Sequence, residues 1–182
     1  MGWRSSDTRQ IFFNKMRIPK DSMMGKPGEG FKKFLKTLVS GRISIGALSL
    51  GTAMGAYEKA LNYSCERKSF GKTINKFQSV AFKLADMATK IESSKHLVYN
   101  AAWLQDQGFD VTKEAAMAKL QSSEAAMDIA TEAIQIMGAN GYVREGKVER
   151  YFRDAKILEI GEGTSEIQRI IISRKLIENY KS

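Results

Sequence analysis

The stretch FQSVAFKLADMATKIESSKHLVYNAA, residues 77–102, repeats its apolar and small positions every three or four residues: Phe77, Ala81, Leu84, Ala88, Ile91, Ser94, Val98 and Ala101. That spacing follows the 3.6-residue turn of an α-helix, so one stripe of a long helix faces a core. The helix is expected to end near Gln107-Gly108. Downstream, Thr112 to Met137 keeps the same period, with Leu120, Met127, Ala130, Ile134 and Met137 inward. Thr112 is expected to cap its start and Gly138 to stop it. Ala115, Ala116, Ala118, Ala125 and Ala126 allow a neighbouring helix to approach closely. A shorter helix is expected over about Lys147 to Leu158. After the Gly161-Glu162-Gly163 break, a last one carries Ile167, Ile170, Ile171 and Ile177. Upstream, Phe31, Phe34, Leu38, Ile45 and Thr52 share a helical face, with Arg42 on the same stripe. Gly41, Gly46, Gly51 and Gly55 fall in this segment, and each costs a helix about 1 kcal/mol relative to alanine. Close packing or a nearby ligand would account for them. Long amphipathic helices joined by short loops predict an all-α fold, an antiparallel up-and-down helical bundle.

The front of the chain reads differently. Gln10 to Ile18 is strand-like and ends at Pro19. A lone strand is not stable, so it requires a partner outside the following helices. The loop Gly25-Lys26-Pro27-Gly28-Glu29-Gly30 is the expected boundary, dividing residues 1–25 from residues 26–182. It lacks the Gly-Lys-Ser/Thr of a phosphate loop.

Composition narrows the chemistry. Of 182 residues, 43% are hydrophobic, and only 2 are proline, which favours helices. No apolar run reaches the roughly 20 residues that span a bilayer, and the first residues lack the apolar core of a signal peptide. A single cysteine, Cys65, excludes an internal disulfide. With one histidine besides, a thiol- or imidazole-rich metal site is excluded. A Cys65–His96 catalytic pair has no orienting partner in the sequence, and His96 reads as incidental. The net charge of +9 attracts polyanions. However, the basic residues are scattered and no nucleic-acid-binding pattern occurs. A solvated basic surface or a phosphate-bearing ligand such as coenzyme A remains.

Three places break the helical pattern. Arg42 is a charge on an apolar stripe and needs an ion-pair partner, an anionic ligand or a route to solvent. Glu66-Arg67-Lys68-Ser69-Phe70-Gly71-Lys72 separates two helices. It is either a solvated connector or a cradle whose Arg67 and Ser69 hold phosphate and whose Phe70 lies against a ring system. Gly161-Glu162-Gly163-Thr164-Ser165-Glu166 sets one carboxylate between glycines, which let a backbone approach a ligand. Thr164 can cap the helix that follows. Spacing alone leaves this segment open between a loop and a catalytic site.

Taken in order, these segments resemble the acyl-CoA dehydrogenase family over essentially the whole chain. Glu66-Arg67-Lys68-Ser69-Phe70-Gly71 through Phe77-Gln78 is similar to its flavin-contacting loop. Gln135-Ile136-Met137-Gly138-Ala139-Asn140-Gly141-Tyr142 resembles its Gln-x-x-Gly-Gly-x-Gly-Tyr segment. Arg153-Asp154-Ala155-Lys156 through Glu162-Gly163-Thr164-Ser165-Glu166-Ile167-Gln168-Arg169 resembles its most diagnostic stretch. The resemblance implies that residues 1–25 end the family's middle β-domain and residues 26–182 form its C-terminal helical domain. It also implies that an N-terminal helical domain and most of the β-domain lie upstream.

The implied activity is FAD-dependent oxidation of a short- or medium-chain acyl-CoA to the trans-2-enoyl-CoA, with Glu162 taking the α-proton. A free carboxylate in water is too weak for that step. The family adds hydrogen bonds to the thioester carbonyl, one of them from the base residue's own N–H, and excludes water with the acyl chain. Isovaleryl and long-chain relatives carry the base on an earlier helix, at the position occupied here by Gly41, which supports Glu162. Arg42 and Gly163 are implied on the substrate side. Arg67, Ser69, Phe70, Gln78, Gln135 and Gly138 are implied to reach the FAD of a neighbouring subunit, and Thr164 and Glu166 the flavin of their own. Such sharing implies a tetramer built as a dimer of dimers. The electron acceptor would be an electron-transferring flavoprotein, and the setting a mitochondrial matrix or bacterial cytoplasm, with no nucleic-acid or membrane partner. Gly161, where many members have tyrosine, and Ala139, in place of a glycine, depart from the pattern. An oxygen-using acyl-CoA oxidase and a non-catalytic CoA-binding helical module are the alternatives.

Overall fold

Small residues set the centre of the molecule. In the computed structural model, which describes residues 1–181, the long helices α1 (Gly30–Glu66), α2 (Gln78–Asp106) and α3 (Thr112–Met137) pack on one another. Ala53, Ala56 and Ala60 of α1 meet Ala125, Ala126, Ala130 and Ala133 of α3 in one core, where bulky side chains would hold the backbones apart. At Gly46 an added Cβ would lie 3.2 Å from Val98 and 3.5 Å from Ala118, so three helices converge there. At the other end, Asn140 just past α3 donates to Tyr63 Oη at 2.9 Å. Helices α1 and α3 are therefore parallel neighbours. Helix α2 runs against α3, with Lys83 paired to Glu132 and Lys90 to Asp128.

The fourth place in the bundle is filled by two pieces. After the single turn α4 (Ala139–Tyr142), α5 (Val148–Leu158) and α6 (Ser165–Lys181) follow each other antiparallel to α3. Tyr151 of α5 lies over Gly55 of α1, and Arg169 of α6 pairs with Glu124 of α3 at 2.6 Å. Residues 159–164 are the break between them. The chain also forms a two-stranded antiparallel ribbon, β1 (Lys68–Ser69) and β2 (Lys72–Thr73), with Lys68 opposite Thr73. Its turn, Phe70-Gly71, has φ of 47° and 79°, the twin left-handed residues of a two-residue hairpin.

The helical bundle and the bounds of α3 are as the sequence implies, and Gly138 ends α3 at φ 58°. Three local readings are corrected. Gln10 to Ile18 forms no strand: these residues are exposed and unpaired, because no edge within the described residues offers them a ladder. Thr112 is not the cap of α3. Asp110 takes that work, accepting from the Thr112 N–H at 3.1 Å and from its hydroxyl at 2.5 Å. Phe31 and Phe34 face solvent, since Gln105 near the end of α2 is level with Ser40 and the first turns of α1 project beyond the bundle. The buried face of α1 is rotated to Arg42, Ile43, Gly46, Ser49 and Leu50. The N-terminus docks on α5, with Trp3 N–H donating to Asp154 at 2.6 Å. No helix among the described residues is long and apolar enough to cross a membrane.

Candidate active site at the break in the fourth helix

The break places Glu162 against the N-terminal third of α1, at Gly41. A Cβ built on Gly41 would lie 2.7 Å from Glu162 Oε2, so the carboxylate rests on the bare backbone that glycine leaves. Glu162 has φ 55° and Gly163 φ 95°. For a residue with a Cβ, the left-handed region costs about 1–2 kcal/mol, and such strain persists only where its surroundings impose it.

Those surroundings can be named. Lys119 of α3 is wholly buried and donates to Glu159 O at 3.0 Å and Gly163 O at 2.9 Å. Gln168 of α6, also wholly buried, donates through Nε2 to Gly163 O at 2.8 Å and Glu162 O at 3.3 Å. Ser165 N–H closes the turn on Glu159 O at 3.0 Å. Thr164 Oγ1 accepts from Ile167 N–H at 3.4 Å and so caps α6 as expected. The Glu159, Glu162 and Gly163 carbonyls of the break thus meet donors, while the Glu162 N–H meets no acceptor among the described residues.

Arg42 completes the group. It is 6% exposed, and its Nε has no hydrogen-bond partner. Burial lowers the guanidinium's pKa, and the nearby Glu162 carboxylate opposes that shift. Burial also lowers the Lys119 ammonium, against the pull of Glu159, Glu124 and Glu166. The Glu166 carboxyl is held below the usual carboxylate range by hydrogen bonds from its own N–H and from Thr164. Arg42, Glu162, Gly163, Thr164 and Glu166 are therefore brought together. Lys119 and Gln168 were missed. Lys119 carried the same signal as Arg42, a charge on a stripe of small residues with Ala115 and Ala126.

The remaining expected residues lie at the opposite end. Arg67 follows Arg42 along α1 by about 37 Å, at roughly 1.5 Å per residue. Ser69 and the 93% exposed Phe70 belong to the ribbon beside it, and Gln78 opens α2. Phe70 meets Phe77 edge-on, with ring centroids 6.3 Å apart, and Lys72 Nζ lies 4.3 Å over Phe77. Gln135 and Gly138 are at the same end, where an apolar groove of about 540 Å³ is lined by Ile134, Gln135, Tyr142 and Phe152. Ala139 is exposed at the start of α4. A Cβ on Gly161 would meet only Ile157 O, at 3.4 Å, so a side chain would fit there and glycine leaves open space.

A family model described as acyl-CoA dehydrogenase, C-terminal domain, matches residues 28–177. The chain belongs to the acyl-CoA dehydrogenase family. Among acyl-CoA dehydrogenases it is 51% identical, over 98% of its length, to a probable acyl-CoA dehydrogenase YngJ of Bacillus subtilis, covering 47% of that protein. It is 50% identical over its whole length to the mitochondrial short-chain specific acyl-CoA dehydrogenase of Homo sapiens, covering 44% of it. Butyryl-CoA dehydrogenase from Megasphaera elsdenii has a solved structure that superposes with a TM-score of 0.87 at 46% identity. That match covers 88% of this chain and 42% of the other. The chain thus spans under half the length of the curated relatives it matches.

Proposed function

We propose that this chain supplies the catalytic base of an FAD-dependent acyl-CoA dehydrogenase acting on short- or medium-chain acyl-CoA, with Glu162 as that base. The observation that carries the reading is the Glu162 carboxylate resting on Gly41, held there by a strained turn tied through the carbonyls of Glu159, Glu162 and Gly163. A base must reach the substrate's α-carbon without first reorganising, and a carboxylate fixed at a helix break meets that need. Its own N–H, without an acceptor, is free to donate to a thioester carbonyl whose oxygen gains charge as the α-proton leaves. Arg42, buried with an unpartnered Nε, offers a donor on the substrate side, and Gly163, where a Cβ would lie 2.9 Å from Gln168 Nε2, lets the turn beside the base pack closely on α6.

The residues present suit FAD in two groups. Thr164 and Glu166 border the base, while Arg67, Ser69, Phe70, Gln78, Gln135 and Gly138 form a distant cluster with an apolar groove and an exposed aromatic ring. When bound, FAD accepts the β-hydride. A single bound dinucleotide does not reach from one cluster to the other, which supports sharing between subunits and hence a homo-oligomer, a dimer of dimers. Electron-transferring flavoprotein would be the acceptor. The mitochondrial and bacterial sources of the relatives support a matrix or bacterial-cytoplasmic setting.

In the flavin-loaded full-length protein, Glu162→Gln is expected to abolish anaerobic bleaching of the flavin by butyryl-CoA while flavin stays bound. Near-normal bleaching would remove Glu162 from the mechanism. Rapid reoxidation of the reduced protein in air would favour an oxidase.

A further inference from the structure

We propose that Lys119 is a positioning residue for Glu162: from the core of the bundle, its ammonium holds the break between α5 and α6 in the conformation that delivers the carboxylate to Gly41. This rests on the reading of Glu162 as the base. Lys119 is 0% exposed, and both of its hydrogen bonds go to main-chain carbonyls of the break, Glu159 O at 3.0 Å and Gly163 O at 2.9 Å. Neither is a carboxylate, so the buried charge is not half of a contact ion pair. A methionine of similar length would fill the same space without the desolvation cost, so packing alone does not call for an amine.

What the amine adds is a link. The other donors to these carbonyls, Ser165 N–H and Gln168 Nε2, belong to α6 and tie the turn only to the helix it leads into. Among the described residues, the hydrogen bonds that join the turn to α3 are those of Lys119. It gathers carbonyls four residues apart onto one nitrogen, so Ile160, Gly161 and Glu162 must bow outward between them. The positive φ of Glu162 and Gly163 falls inside that closure, which Lys119 shares with the Ser165 N–H on Glu159 O. Without it, the turn has both the freedom and the strain to relax, and the carboxylate leaves Gly41.

The test compares Lys119→Met and Lys119→Gln with the parent in the flavin-loaded full-length protein, with Glu162→Gln as reference. Anaerobic stopped-flow with butyryl-CoA gives the bleaching rate at saturation and the half-saturating concentration. Hydrogen exchange reports on residues 159–165. For Lys119→Met the saturated rate is expected to fall about 100-fold, the cost of a misplaced reacting group. Half-saturation should move less than about threefold, flavin should be retained and exchange in the break should quicken. Lys119→Gln, which keeps donors but is shorter, should fall between. Unchanged rate and exchange would overturn the proposal. So would failure of both variants to fold, which would assign Lys119 to bundle stability alone. Should Glu162→Gln bleach normally, the base assignment fails by itself; faster exchange in Lys119→Met would still support the clamp, and unchanged exchange would still sink it.

Discussion

At the level of single residues, Gly41 and Glu162 are two halves of one contact. Replacing Gly41 with alanine puts a methyl group 2.7 Å from Glu162 Oε2, so the carboxylate must move away. The same change removes a mid-helix glycine from α1, which is worth up to about 1 kcal/mol of stability. Gly41→Ala is therefore expected to melt at or above the parent temperature yet bleach flavin more slowly with butyryl-CoA. Calorimetry beside stopped-flow would show the two moving in opposite directions, and a parallel fall in both would contradict the contact. Arg42 was legible in the sequence because a charge interrupting an apolar stripe is visible in one dimension. Glu162 was not legible from its own spacing, since Gly-Glu-Gly describes a loop as well as a site. Only the ordered set of similar segments singled it out. Lys119 is visible as a charge on a stripe of small residues, but its tie to carbonyls 40 and 44 residues downstream is not.

At the level of elements, the extent of α3 was legible because its alanines and its terminal glycine are local signals, while its cap was not. The first turns of α1 were misread because periodicity reports that a stripe exists, not how far its neighbours extend. The start of α3 depends on Asp110, whose carboxyl is held below the usual carboxylate range, first by the Thr112 hydroxyl and then by the Thr112 N–H, with Lys175 adding to both. A carboxyl whose folded value is lowered contributes stability above its unfolded value and loses it as pH falls through the folded one. Asp110→Ala is accordingly expected to lower stability by about 0.5–1 kcal/mol at neutral pH. Denaturant titrations should find that deficit shrinking under acid and vanishing once the parent's carboxyl is protonated in both states.

On the scale of the whole molecule, the two clusters of expected cofactor residues lie at opposite ends of α1. If they serve FAD molecules shared with neighbouring subunits, as proposed, the ring of Phe70 has a partner outside this chain. Among the described residues its ring meets Phe77 edge-on and is otherwise largely open to solvent. Phe70→Ala should leave the melting temperature of the flavin-free protein unchanged, and gel filtration with absorbance at flavin wavelengths should show faster loss of FAD on dilution. The unpaired segment 10–18 belongs to the same scale: its pattern is strand-like, but a ladder is a property of two strands, and one sequence segment cannot supply both.

The divided fourth helix has one more consequence. Surface connections usually tolerate an inserted or deleted residue, but the turn of 159–164 is tied at both ends and leads straight into α6. One residue more or fewer would rotate α6 by about 100° around its axis, carrying Gln168 out of the core and Arg169 away from Glu124. The length of this turn is therefore as fixed as any side chain in the site, and natural variation in the fold should accumulate in the 20–30 stretch instead.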